Sequence, residues 1–175
     1  MRLDVVDAKK HPLGDANRRA LAGIETHPKV QEWDVDIHTA DKNTMCALFA
    51  RFLKRLPKDE RQTFLVGKLD GKVIGFLGIY REDKRMRHVG MVGISIHPDY
   101  WEKGFGTKLL EASVKLAKEK DFLRLEADTL AKNKSMRRIA EKVGFRLEGK
   151  RKARVHKNGR YEDEALLAML LTDDD

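Results

Sequence analysis

The chain predicts an α/β fold, in which a mixed sheet is entered through N-terminal helices and closed by a long C-terminal hairpin. Three observations lead there. Met45, Leu48, Phe49, Phe52, Leu53 and Leu56 recur at helical spacing over residues 43–56. Two apolar runs flank Asp70-Gly71 in "TFLVGKLDGKVIGFLGIYRED", a hairpin signal because both turn residues accept positive φ. From residue 109 onward the apolar period switches from helix to strand to helix, and then to two strands about Asn158-Gly159.

In chain order, "DANRRALAGIE" forms a first helix with Ala20, Leu21 and Ile24 as its apolar face. Pro57 stops the helix of residues 43–56, because its ring cannot continue the hydrogen-bond ladder. Two strands follow about Asp70-Gly71, and "RHVGMVGISIHP" adds a third that reaches Pro98, completing an antiparallel meander. The next helix turns Leu109, Leu110, Ser113, Val114 and Ala117 inward. "FLRLEADTL" alternates as a strand. "SMRRIAEKV" aligns Met136, Ile139, Ala140 and Val143 on one side of a helix that Gly144 terminates. "FRLEGKRKARVH" and "RYEDEALLAMLL" make the closing hairpin.

The 175 residues suit one domain spanning 1–175. Apolar content is 41% and charged content 37%, which describes a folded and very soluble chain. No apolar run approaches the ~18 residues a membrane span needs, and the N-terminus lacks the apolar segment of a signal peptide. A single cysteine, Cys46, has no internal disulfide partner; with its helical spacing it is expected to be buried, and the protein cytoplasmic. Plentiful Lys, Arg and Glu beside few Asn and Gln fit a thermophilic source. The net charge is +8; residues 101–160 hold 18 basic and 8 acidic side chains, against 18 and 14 in residues 1–100. Such an excess suits a polyanion, either nucleic acid or a phosphorylated cofactor, or else makes a solvated surface.

That basic half opens with "HPDYWEKGFGTKLLEASVKLAKEK", where Gly104 and Gly106 stand at the mouth of a helix beside Lys103 and Lys108. A helix start exposes unpaired N–H groups and the positive end of the dipole, and glycines let a phosphate come close. Lys103 to Thr107 therefore read as a pyrophosphate cradle, unless the glycines serve only as a cap or a close-packing site. The dinucleotide fingerprint fails because Leu109 occupies its third glycine. "GFRLEGKR" has P-loop spacing but ends in Arg151 where Ser or Thr would hold magnesium.

"HPDYWEKGFGTKLL" after "ISIHP" resembles the acyl-CoA motif of the GNAT N-acetyltransferases. "NKSMRRIAEKVGF" is similar to their second motif, and "GRYEDEALLAMLL" resembles the final strand of the subgroup of ribosomal-protein N-terminal, polyamine and amino-acid acetyltransferases. The resemblance covers residues 64–171 and is looser over the first 60. It implies a GNAT-like mixed sheet with acetyl-CoA between two splayed strands. The backbone of Ile94 and Ile96 would pair with pantetheine, Lys103, Gly104, Phe105, Gly106 and Thr107 would cradle the pyrophosphate, and Asn133 would bond the cofactor arm. A primary amine of a small molecule, an amino acid or a protein N-terminus would then attack the thioester directly. Relatives are often homodimers.

Three positions depart from the family pattern. Trp101 stands where Arg or Gln is usual, Ala140 where many relatives carry an acidic tyrosine, and "HVGMVGISI" holds no glutamate base. Glu126 is the candidate base, acting through a water, or is an exposed strand carboxylate paired with Arg124 or a lysine; Tyr161 is the candidate acid. Trp33 either lines the acceptor pocket or packs in the core, and Glu32, Asp34 and Asp36 beside it can attract a cationic amine. The six histidines show no ligand spacing, so no metal is expected. The run "GKRKARVHKNGR" either grips RNA or is solvated, and a non-catalytic RNA- or ribosome-binding module is the competing function. That basic run lacks the interleaved aromatics single-strand binders use.

Overall fold

A computed structural model describes residues 2–35 and 40–172. Among these residues seven strands form one sheet: β1 (Asp4–Asp7), β2 (Gln62–Leu69), β3 (Lys72–Arg81), β4 (Val89–Ile96), β5 (Arg124–Leu130), β6 (Arg146–Lys157) and β7 (Arg160–Leu170). Five helices accompany them: α1 (Asp15–Glu25), α2 (Pro28–Gln31), α3 (Lys42–Arg55), α4 (Phe105–Glu119) and α5 (Lys134–Val143). The strand order is β1-β2-β3-β4-β5-β7-β6, antiparallel throughout except for the parallel β4–β5 pair.

The expected mixed α/β arrangement is present, with every expected helix and strand in place. β1 and α2 are additions; each is four residues long, too short for its periodicity to register. Local chemistry explains the element ends. The Asp41 carboxylate accepts from the N–H groups of Asn43 and Thr44 and so caps α3. Asp70-Gly71 and Asn158-Gly159 turn their hairpins with positive φ at all four residues. Gly144, at φ 115°, ends α5, and the Phe145 N–H returns to the Ala140 carbonyl.

β2 and β3 are buried on both faces, which is why they read as nearly continuous apolar runs. Phe64, Val66 and Phe76 face α1 and α3, packing with Leu21, Ile24, Met45 and Phe49. Leu65, Leu77, Ile79, Val92, Leu125, Ala127 and Leu167 face α4 and α5, packing with Leu109, Leu110 and Ala140. Leu109 and Leu110 are fully buried, each contributing roughly 1.5–3 kcal/mol of apolar transfer free energy. Cys46 is only half-buried, on the rim of the α1–α3 layer. No described helix is long and apolar enough to cross a membrane.

Candidate functional site: a parted sheet above a glycine-opened helix

The parallel ladder between β4 and β5 has three pairs, Val89–Arg124, Gly90–Leu125 and Met91–Glu126. Beyond them β4 remains paired to β3 as far as Ile96, while β5 remains paired to β7 as far as Leu130. Residues 92–96 and 127–130 thus present facing strand edges that part as a V. Backbone amides along such edges need partners. At the vertex, Gly90 is required by contact: a Cβ there would lie 2.8 Å from Ile79 Cγ2 and 3.0 Å from Leu125 Cδ2 and Phe122 Cε1.

α4 begins against the open end of the V. A Cβ on Gly106 would sit 3.4 Å from Ile139 Cδ1 and 3.9 Å from Ile96 Cγ1, so the helix start is pressed between α5 and the end of β4. Gly104 takes φ 78° at the N-cap position, and no side chain caps the helix. The first-turn N–H groups are thereby left for an anion. Phe105 contributes backbone alone, because its side chain is buried with Leu69 and Ile74. Thr107 is buried. Lys103 is exposed, and its Nζ donates back to the Asp99 carbonyl at 2.7 Å.

Trp101 has a definite task. Its indole N–H donates to the Ile96 carbonyl at 2.7 Å, tying the loop before α4 to the last residue of β4. Asn133 caps α5: its Oδ1 accepts from the Met136 N–H at 3.1 Å, and its Nδ2 donates to Thr129 Oγ1 at 3.2 Å. It joins the end of β5 to α5 and retains one free amide hydrogen.

The two residues expected to move protons lie apart. Glu126 sits at the vertex, where its carboxylate accepts from Arg124 Nε at 2.6 Å. Arg124 also forks onto Glu148, and these partners, Glu148 foremost, push its pKa further up. Glu126 thereby takes the ion-paired arrangement that its strand neighbour Arg124 offered. Tyr161 is 72% exposed and stacks on His156 near the hairpin tip, with centroids 4.8 Å apart.

The face of the V turned toward α1 holds groups that sequence reasoning passed over. Ser95 Oγ donates to Glu25 Oε2 at 3.3 Å, linking the open part of β4 to the end of α1. Asp128 shares the face of Glu126 but lies two residues farther along β5, within the parted segment. Lys157 on β6 is buried, and its ammonium donates to the carbonyls of Gln31, Glu32 and, at 3.3 Å, Asp34. Burial draws its pKa down against the pull of Asp34. This clamp fixes the hairpin tip to the turn that carries half-buried Trp33. Asp36, the third acid of that expected group, lies outside the described residues. On β7, Glu164 is a buried carboxylate 2.6 Å from Arg151 Nε. Alternation along β4 and β5 gives the faces of Ser95 and Asp128 from sequence, but nothing distinguishes Lys157 from the cations around it. Among the described residues no three His, Cys, Asp or Glu gather as a metal site.

A sheet parted between two parallel strands, above a helix opened by glycine, defines an acetyltransferase class of α/β enzyme. The chain belongs to the GNAT acetyltransferase domain family, which residues 11–146 match. It is 29% identical, over 71% of its length and 70% of the relative's, to the probable N-acetyltransferase YjcK of Bacillus subtilis. Its fold superimposes on the ribosomal-protein-S5-alanine acetyltransferase from Vibrio fischeri with a TM-score of 0.81 at 18% identity, covering 100% of this chain and 96% of that one. It also matches a phosphinothricin acetyltransferase from Sinorhizobium meliloti, solved in complex with acetyl-CoA, with a TM-score of 0.78 at 21% identity and coverage of 99% and 90%.

Proposed function

We propose that this acetyltransferase binds acetyl-CoA in the V and passes the acetyl group to a primary amine by direct attack on the thioester. The observation that carries the reading is the β4–β5 ladder that stops after three pairs. Pantetheine is a linear chain with two amides, and it satisfies parted strand edges as an added strand would. On this reading Ile94 and Ile96 offer the β4 edge, and residues 103–107 receive the pyrophosphate. Asn133 turns its free amide hydrogen toward the cofactor arm.

The acceptor, a small amine, an amino acid or a protein N-terminus, enters from the α1 side, beside the Trp33 turn that the Lys157 clamp holds in place. Attack requires a neutral amine, so the ammonium proton must leave before or during it. Asp128 takes that proton in preference to Glu126, because Asp128 lies within the parted segment of β5 whereas Glu126 stands in the last ladder pair at the vertex. Positioning of amine and thioester supplies the larger part of the rate, and backbone N–H groups on β4 stabilise the oxyanion. Tyr161, exposed near the hairpin tip, is the proposed proton donor to the departing thiolate.

Release of free thiol from acetyl-CoA, followed across amino acids, polyamines and N-terminal peptides, tests the reading. Turnover of at least one class is expected, with Asp128→Asn lowering kcat far more than acetyl-CoA affinity. Silence across the panel, or acetyl-CoA binding weaker than millimolar, would overturn it.

A further inference from the structure

The positive charge that the sequence concentrates in the C-terminal hairpin is largely consumed inside the fold. Arg151 pairs with Glu164, Lys152 with Asp163, and Lys157 with three carbonyls. A cluster without such partners lies elsewhere. Arg51, Lys54, Arg55 and Lys58 are exposed, follow one another at helical spacing along the end of α3 and the 3-10 turn after it, and have no ion-pair or hydrogen-bond partner among the described residues. Together they line one groove with Asp59 and Glu60. An adjoining groove shares Arg51 and Arg55 and is floored by Leu48, Phe52 and Leu56, with Leu48 44% exposed.

These grooves do not serve the V. Gln62 lines the second one and begins β2 opposite Tyr80; Tyr80 in turn pairs with Met91 near the start of β4. The grooves therefore open at the end of the sheet where β4 begins, whereas the V opens where β4 ends. Favourable interaction with the C-terminal dipole of α3 explains cations in its last turn, Lys54 and Arg55, but reaches neither Arg51 a turn earlier nor the exposed Leu48.

We propose that this face docks an acidic peptide segment of a partner protein, with carboxylates on the four cations and an apolar side chain against Leu48 and Phe52. The composition favours a peptide over the other polyanions. Asp59 and Glu60 interrupt the positive track that a continuous phosphate backbone would follow, and the one aromatic lining the grooves, Phe52, is half-buried in edge contact with Phe64, so no row of rings is offered to successive bases. A lipid surface needs a broad apolar face, whereas the exposed large apolar side chain here is Leu48 alone. Isolated carboxylates flanking one apolar anchor match the spacing of charge and apolar floor.

The probe is a fluorescein-labelled peptide of Glu with interspersed Leu, titrated by anisotropy against the full chain saturated with acetyl-CoA. Binding is expected to weaken with salt, to fall about tenfold or more in Arg51→Glu/Arg55→Glu, and to fall also in Leu48→Glu. The hairpin variant Lys150→Glu should leave it unchanged. The variants change exposed side chains, and circular dichroism checks their fold. No binding, equal loss in Lys150→Glu, equal affinity for an all-Glu peptide lacking Leu, or tighter binding of an oligouridine RNA would each overturn the proposal. Because acetyl-CoA is present and the readout is peptide binding, failure here is separate from failure of the acetyl-transfer reading.

Discussion

At the scale of single residues, position 101 shows how a side chain can be legible as a departure and illegible as a function. The sequence exposes Trp101 as the wrong residue for a phosphate contact. Its hydrogen bond to the Ile96 carbonyl depends on how the loop of residues 97–103 folds back, which no spacing reveals. Trp101→Phe keeps an aromatic ring but removes the indole donor and some packing volume, with the lost hydrogen bond alone costing about 1 kcal/mol in stability. Acetyl-CoA affinity measured by calorimetry should fall about fivefold as the end of β4 loosens, with the fold intact by circular dichroism. Gly104 can be separated into backbone and ligand parts in the same way. A Cβ there meets nothing within 4 Å, so Gly104→Ala carries only the strain of φ 78°, roughly 1–2 kcal/mol. Gly104→Glu adds a carboxylate at the helix mouth, and should lower acetyl-CoA affinity well beyond the alanine variant at equal melting temperature.

At the scale of elements, the periodic pattern reports what each segment is, and the contacts at its glycines report how closely it must approach its neighbours. The ten expected strands and helices follow from apolar spacing and turn residues, because those signals are local. The closeness of β3 to β4 is not local: a Cβ on Gly75 would fall 2.3 Å from Ile96 Cδ1 and 2.9 Å from the Ser95 carbonyl oxygen. Gly75→Ala therefore displaces the β4 edge itself, with a cost of about 1–3 kcal/mol. Its acetyl-CoA affinity should fall, whereas Gly93→Ala, where a Cβ meets nothing within 4 Å, leaves stability nearly unchanged. The α3 cap makes a pH prediction. Hydrogen bonds from Thr44 first, then Asn43, hold the Asp41 carboxyl below its ordinary 3.8. A carboxylate depressed in the folded state contributes stability that is complete above its unfolded pKa and is lost as pH falls through the folded value. Acid unfolding of Asp41→Asn should thus show a shallower loss of stability below about pH 4, while its neutral-pH stability is lower than that of the parent.

At the scale of the whole molecule, the V joins two sub-sheets, β1–β4 and β5–β7–β6, held together by three ladder pairs, the packing of α4 and α5 across them and the Lys157 clamp to the α2 turn. The proposed cofactor half of this arrangement is readable in the sequence, since strand, glycines and Asn133 fall in chain order along 94–133. The other face of the V is obscure there, because the contacts on it are long-range: Ser95 meets Glu25 across 70 residues and Lys157 meets Gln31 across 126. One consequence concerns cooperativity. A ligand that fills the V replaces the missing ladder pairs and couples the sub-sheets, so it should stabilise the protein as one unit. At a hundredfold excess over its dissociation constant, acetyl-CoA should add about 2.7 kcal/mol, raising the melting temperature by roughly 5–10 °C for a chain of this size. Hydrogen exchange should slow most at residues 92–96 and 127–130, the parted edges, with smaller changes at the outer strands β1 and β6. Adenosine diphosphate occupies the cradle without the arm, and should protect the start of α4 while leaving both edges as they were. Equal protection by the two ligands would show that the helix mouth alone holds the cofactor, and that the V is not its seat.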